Sequence, residues 1–176
     1  MSYEDTKFVV AAKKYGVWRI IKSNDLVYAL VLSMTFSLIV GHFGIQIQIN
    51  EMVCPIYVTI SATMIAVAIA GLAIVVSMSD SSFIKILKSV NIYENILFLF
   101  YYSSIVSGIS IIFCTIAYAF SIFDKYLLCT VFNSDSLALI LLFFSTFFVL
   151  YSVFSTILLV GLTMRYGFYR GYFIDK

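Results

Sequence analysis

Charged residues are scarce in this chain. Lys, Arg, Asp and Glu make up 11% of its 176 residues, whereas a soluble domain carries about a quarter. Apolar residues make up 62%, and the charges are confined to the ends and to short gaps between long apolar runs. Because these runs do not alternate apolar and polar residues, they exclude a transmembrane β-barrel. The composition predicts an all-α integral membrane protein.

Catalytic and metal-binding groups are equally scarce. His42 is the only histidine, and no carboxylate falls within an apolar run. Hydrolases and metalloenzymes need clusters of acids, bases or ligands, so we predict no enzymatic activity, no cofactor and no metal site. A proton or ion carrier would normally have an intramembrane carboxylate. The net charge of +2 is too small to indicate nucleic acid as a partner.

The three cysteines and the single proline carry only local information. Cys54 and Cys129 are predicted on the outer side, where they could pair in an oxidising compartment, and Cys114 lies within a span. Free, buried thiols are the preferred interpretation. Pro55 is predicted in the first turn of the second span, where a missing N–H has no helical partner anyway.

Four apolar segments are each long enough to cross a hydrocarbon core of roughly 30 Å as a helix that rises about 1.5 Å per residue. They predict a four-helix transmembrane bundle, forming a single domain over residues 1–176, with spans at about 26–45, 53–78, 96–120 and 137–164. Segments 1–25, 79–95 and 165–176 are predicted to be interfacial segments on one side of the membrane, with short helices in the first two.

The basic residues predict the orientation. Of the 11 Lys and Arg residues, only Lys125 falls in a predicted outer loop. Because basic residues are enriched on the cytoplasmic side, both termini are predicted to be cytoplasmic. We expect a multi-pass protein of a cell membrane, namely a prokaryotic plasma or inner membrane.

Small residues recur at steps of three and four along the first two spans, so each set shares one helix face. Such faces let helices approach closely in lipid. The predicted packing residues are Ser33, Ser37, Gly41 and Gly44 in the first span, and Ala62, Ala66, Ala70 and Ala73 in the second. We expect the other three spans to pack around the second set.

The third span carries a face of small polar residues, Ser103, Ser107, Ser110 and Cys114. One interpretation is a water-filled path, because hydroxyl groups can replace hydration without binding an ion strongly. The other, which we favour, is interhelical packing and hydrogen bonding. No ring of charges indicates a selectivity filter.

Four basic residues are predicted to meet at the cytoplasmic surface: Lys85, Lys88, Arg165 and Arg170. Their simplest role is attraction to anionic lipid. A cytosolic protein partner that docks on this surface and on the aromatic C-terminal tail is the alternative.

The stretch Gly71-Leu-Ala-Ile-Val-Val-Ser-Met-Ser-Asp80-Ser-Ser-Phe83 through Leu97 resembles a pattern in small four-helix prokaryotic membrane proteins. The whole chain is similar in size and layout to membrane subunits of bacterial anti-phage and CRISPR-accessory systems, such as the Kiwa membrane component. This resemblance implies a homo-oligomeric membrane protein that acts with a cytosolic partner as a sensor or pore in antiviral defence. The alternatives are a stand-alone channel or transporter, and a structural or chaperone-like subunit of a larger membrane complex.

Overall fold

The computed structural model describes residues 24–77, 92–127 and 134–174, with side chains described for 24–77, 96–123 and 135–165. Throughout these ranges the regular structure is α-helical. The helices are α1 (Asn24–Phe43), α2 (Gln46–Ser77), α3 (Ile92–Leu127) and α4 (Ser134–Ile174). The predicted all-α four-helix bundle is therefore confirmed. The predicted interfacial helices within 1–25 and 79–95 lie largely outside the described residues.

Each helix contains an apolar stretch long enough to cross a membrane, by length and composition. Large apolar side chains cover the outside of the bundle. Leu38, Ile69, Ile112 and Ile157, one from each helix, are all at least half exposed. Apolar surface this extensive is rare on soluble monomers, so it fits a protein whose helices are surrounded by lipid.

The connection between α1 and α2 is shorter than the sequence indicated. Only Gly44 and Ile45 separate the two helices, and Gly44 has a φ of +65°, a conformation that glycine adopts without a Cβ penalty. Residues 46–52, which lie between the first two predicted spans, instead form the first turns of α2. Pro55 therefore lies inside the helix and not in its first turn. The Pro55 ring is exposed, so it does not push against a neighbouring helix.

The last helix is also longer than predicted. α4 has 41 residues, which corresponds to a length of about 60 Å. It continues from the apolar stretch that ends at Arg165 into most of the predicted interfacial tail. The backbone of that tail is thus helical as far as Ile174.

Helices α2 and α3 form the most extensive contact, and α4 packs against both. Helices α2 and α3 run antiparallel, because Ser61 lies opposite Ser110 and, farther along α2, Gly71 lies opposite Phe100. α1 packs mainly on α4 and has few contacts with α2. The core is therefore a group of three helices with α1 attached at one side.

Candidate functional site

The interior of the bundle is rich in small polar side chains. The buried polar residues are Ser33, Ser37, Gln46, Asn50, Ser61, Ser103, Ser107, Ser110, Ser121, Ser145, Thr146, Ser152 and Thr156. None of the buried side chains in the described ranges is charged. The candidate pore-lining residues Ser103, Ser107, Ser110 and Cys114 all face this interior. Any path that they line would therefore run within one chain and not between chains.

Several hydroxyl groups join neighbouring helices. Ser61 Oγ and Ser110 Oγ are 2.8 Å apart, linking α2 to α3. Ser103 Oγ lies 3.0 Å from Thr156 Oγ1 and accepts a hydrogen bond of 3.3 Å from Ser155 Oγ, which links α3 to α4. Such bonds within a membrane stabilise helix association by about 0.6 kcal/mol each on average. This geometry matches the packing interpretation of the serine face.

At one end of the bundle, called here the Gln46 end, the buried groups are larger and more polar. Gln46, Asn50 and Cys54 follow each other at steps of four on the inner face of α2. Asn50 Nδ2 donates a 3.0 Å hydrogen bond to the carbonyl oxygen of Ala138 on α4. Among the described residues, Gln46 Oε1 and the buried Ser37 Oγ have no hydrogen-bond partner. Two polar atoms are thus buried here without a partner.

Two thiols lie just below this end. Cys54 on α2 and Cys114 on α3 are both free and completely buried, and they belong to one cluster with Ala117 and Val149. Cys129, with which Cys54 could pair in the alternative to free thiols, lies outside the described residues. In the described ranges, no three His, Cys, Asp or Glu side chains come close enough to hold a metal ion.

At the opposite end, called here the Phe100 end, the interior is apolar. Ala68, Ile96, Phe100 and Leu159 form one buried cluster that joins α2, α3 and α4. The Phe100 ring lies directly over Gly71: a Cβ added to that glycine would be 2.8 Å from Phe100 Cε1. Only glycine leaves room for the ring in this position.

Aromatic residues join α3 to α4, and α1 packs against them. The hydroxyls of Tyr102 and Tyr151 are 2.7 Å apart, and their rings meet edge to face. Tyr151 also stacks on Phe147. Ala29 of α1 is completely buried against this group. Its small side chain lets α1 approach these rings.

The small residues of α1 have different positions. Ser33 and Ser37 are buried. Gly41 faces α4 so closely that an added Cβ would be 2.5 Å from Leu139 Cδ1. Gly44 is exposed, and an added Cβ would meet nothing within 4 Å. Its role is therefore in the turn and not in helix packing, which corrects the prediction for this residue.

The small-residue stripe of α2 lies on the outside of the chain. Ala62, Ala66, Ala70 and Ala73 are all exposed. The expectation that the other three spans pack around this stripe is wrong, because α2 presents a different face, which includes Ser61, to them. None of the helices in the described ranges covers this stripe, so a helix from another molecule would have room to pack on it.

The candidate cytoplasmic residues are only partly described. Arg165 is exposed at the end of the apolar stretch of α4. Arg170 lies on the same helix, although its side chain is not described, and Lys85 and Lys88 lie outside the described residues. His42 is exposed at the end of α1, with its ring edge to face with Phe43.

Sequence reasoning missed Asn50, Gln46 and the Tyr102–Tyr151 pair. The signal for the first two was the spacing of Gln46, Asn50 and Cys54 at steps of four, which is that of one helix face. Polar residues between two apolar runs are, however, also typical of a loop. The tyrosine pair has no signal in the sequence, because its members are 49 residues apart.

No protein-family model matches the chain, and no curated protein and no solved structure matches it.

Proposed function

We propose that this chain is a non-enzymatic, oligomeric membrane protein that acts as a pore-forming or sensing subunit together with a cytosolic partner. The observation that carries the proposal is the interior of buried hydroxyl, amide and thiol side chains without a buried charge among the described residues. Antiviral defence, in a prokaryotic plasma or inner membrane, is the process implied by the resemblance in size and layout. The basic residues near the C-terminal end of α4 supply a surface for the partner or for anionic lipid.

Ion flux through purified protein in liposomes tests the pore. Ser107 is the best position for a variant, because its hydroxyl bonds to the Ser103 carbonyl oxygen of its own helix at 2.9 Å. Ser107→Val should remove most of the flux, since it places apolar bulk in the lining and leaves the cross-helix bonds of Ser103 and Ser110 in place. Thr115→Val is the matched control, because Thr115 is exposed on the same helix and bonds only its own backbone at 2.8 Å. Equal flux through both variants would remove the serine face from the path.

The second candidate function is a structural subunit of a larger membrane complex. It is favoured by the hydroxyl pairs that join helices, such as Ser61 with Ser110. Two results together would establish this function in place of the pore: no ion flux with or without the partner, and failure of a complex to assemble when this chain is removed.

The exposed stripe on α2 supports the oligomeric part of the proposal. A second chain could approach it closely, because Thr59 and Thr63 at its edge already bond carbonyl oxygens of their own helix and need no partner. Ala66→Leu combined with Ala70→Leu should lower the oligomer fraction in detergent while the thermal stability of the single chain stays unchanged. Cross-linking and light scattering measure the first quantity.

The control for this test is Ile69→Leu combined with Ile74→Leu. Both residues are exposed on the same helix, and isoleucine and leucine have the same side-chain volume. An unchanged oligomer fraction in the stripe variant would show that the stripe faces lipid.

A further inference from the structure

The polar interior ends abruptly at one level of the bundle. From the Gln46 end, polar groups follow each other along the axis as far as the Ser103–Thr156 pair. One turn farther, Phe100 lies over Gly71, and beyond it the core is the apolar cluster of Ile96 and Leu159. Among the described residues, buried hydroxyl and amide side chains therefore occur on one side of this level only, and the cluster of Cys54, Cys114, Ala117 and Val149 lies among them.

The Gln46 end also has a buried polar atom whose hydrogen-bonding capacity a ligand could satisfy. Gln46 is only 6% exposed, and its Oε1 has no hydrogen-bond partner among the described residues. It precedes Asn50 and Cys54 on the same face of α2. A buried amide oxygen without a partner is satisfied when water or a cation reaches it. The oxygens at this end favour water and small cations over anions.

We propose that water and small cations enter each chain at the Gln46 end, reach the two thiols, and are stopped by an apolar gate formed where Phe100 packs over Gly71. Apolar constrictions close pores by excluding water, which is the property of the cluster at this end. The inference rests on the proposed pore function and adds a direction to it. The membrane orientation predicted from the basic residues puts this entrance on the outer side.

The native thiols supply the probe. The test uses Ag⁺, a small cation that binds thiols, on the full-length Cys129→Ser protein in vesicles of known orientation, with glutathione on the opposite side to trap any cation that leaks through. Thiols left free are then counted by alkylation of the denatured protein. Cys54→Ser and Cys114→Ser assign the signal to each residue. Ag⁺ should bind both thiols from the Gln46 side and neither from the Phe100 side.

A cysteine at Ile112 is the matched control, because Ile112 is exposed on the outer face of α3, opposite its serine face, and should bind Ag⁺ from neither side. Absence of binding to Cys54 and Cys114 from the Gln46 side would overturn the path. Binding from the Phe100 side in the otherwise unmodified protein would overturn the gate.

Opening the gate completes the test. Phe100→Ala should allow Ag⁺ to reach the thiols from both sides. Leu72→Ser, at a partly buried position packed against the same cluster, is a second variant in case the first fails to fold. If both fold and neither admits Ag⁺ from the Phe100 side, the gate is wrong. Flux measured in the same vesicles keeps this result separate from the proposed function, because access to the thiols does not depend on ions crossing the membrane.

Discussion

Gly71→Ala should destabilise the bundle, although the same change usually stabilises a helix by about 0.5–1 kcal/mol. The added Cβ would be 2.8 Å from Phe100 Cε1 and 3.2 Å from Cζ. The ring cannot move away, because Phe100 is 2% exposed and is held by Ile96 and Leu159. Overpacking of this kind costs about 1–3 kcal/mol, so the net change lowers the stability. Thermal unfolding in detergent measures it.

Gly161→Ala is the control for this prediction. Gly161 is also within a helix, yet an added Cβ there would meet nothing within 4 Å. Its substitution should therefore leave the melting temperature unchanged or raise it. Combining Gly71→Ala with Phe100→Leu should recover part of the lost stability, because the smaller side chain removes the ring atoms that clash. Equal melting temperatures for the two glycine variants would refute the contact.

The fold was predictable because length and apolar composition are sufficient to define helices that span a membrane. The inner face of α3 was predictable as well. Its small polar residues, such as Ser103 and Ser110, recur at helical steps, with bulky side chains such as Ile112 on the opposite face. A single contrast between small polar and large apolar residues therefore marks the face that is buried.

The inner face of α2 was not predictable in the same way. Both of its faces carry small residues: Ser61 and Ala68 are buried, whereas Ala62 and Ala66 are exposed. Sequence spacing shows that each pair shares a face, but the choice between the faces depends on which partner residues α3 and α4 present. That information is tertiary, and Ser61 opposite Ser110 is one example of it.

The start of α2 was missed for a different reason. Residues 46–52 contain Gln, Asn and Glu, and polarity of this kind near a membrane surface is typical of a loop. In the structure Gln46 and Asn50 instead turn toward the core, and Asn50 finds the carbonyl oxygen of Ala138. A polar residue is compatible with a buried helix face when a partner is available, and the sequence does not show the partner.

Asn50→Asp should therefore be among the most damaging single substitutions in this part of the chain. Asn50 is completely buried, and its amide group donates to Ala138 O at 3.0 Å. An ionised carboxylate at this position would lose that donor and place its charge against the carbonyl oxygen. A buried charge without a partner destabilises a protein by about 3–5 kcal/mol. We expect loss of the folded protein or a strongly lowered melting temperature in detergent at neutral pH.

Two further variants separate the effect of the charge from the loss of the hydrogen bond. Asn50→Leu removes the polar group altogether, so it should cost about 1 kcal/mol, the net value of the bond to Ala138, because the bond that Asn50 Oδ1 accepts from Cys54 Sγ is long at 4.0 Å and weak. Gln48→Glu adds the same charge two residues away, at an exposed position of α2, and should have little effect on the melting temperature. If Gln48→Glu is as damaging as Asn50→Asp, the cause is charge near this end of the helix, and the buried contact with Ala138 is not the reason.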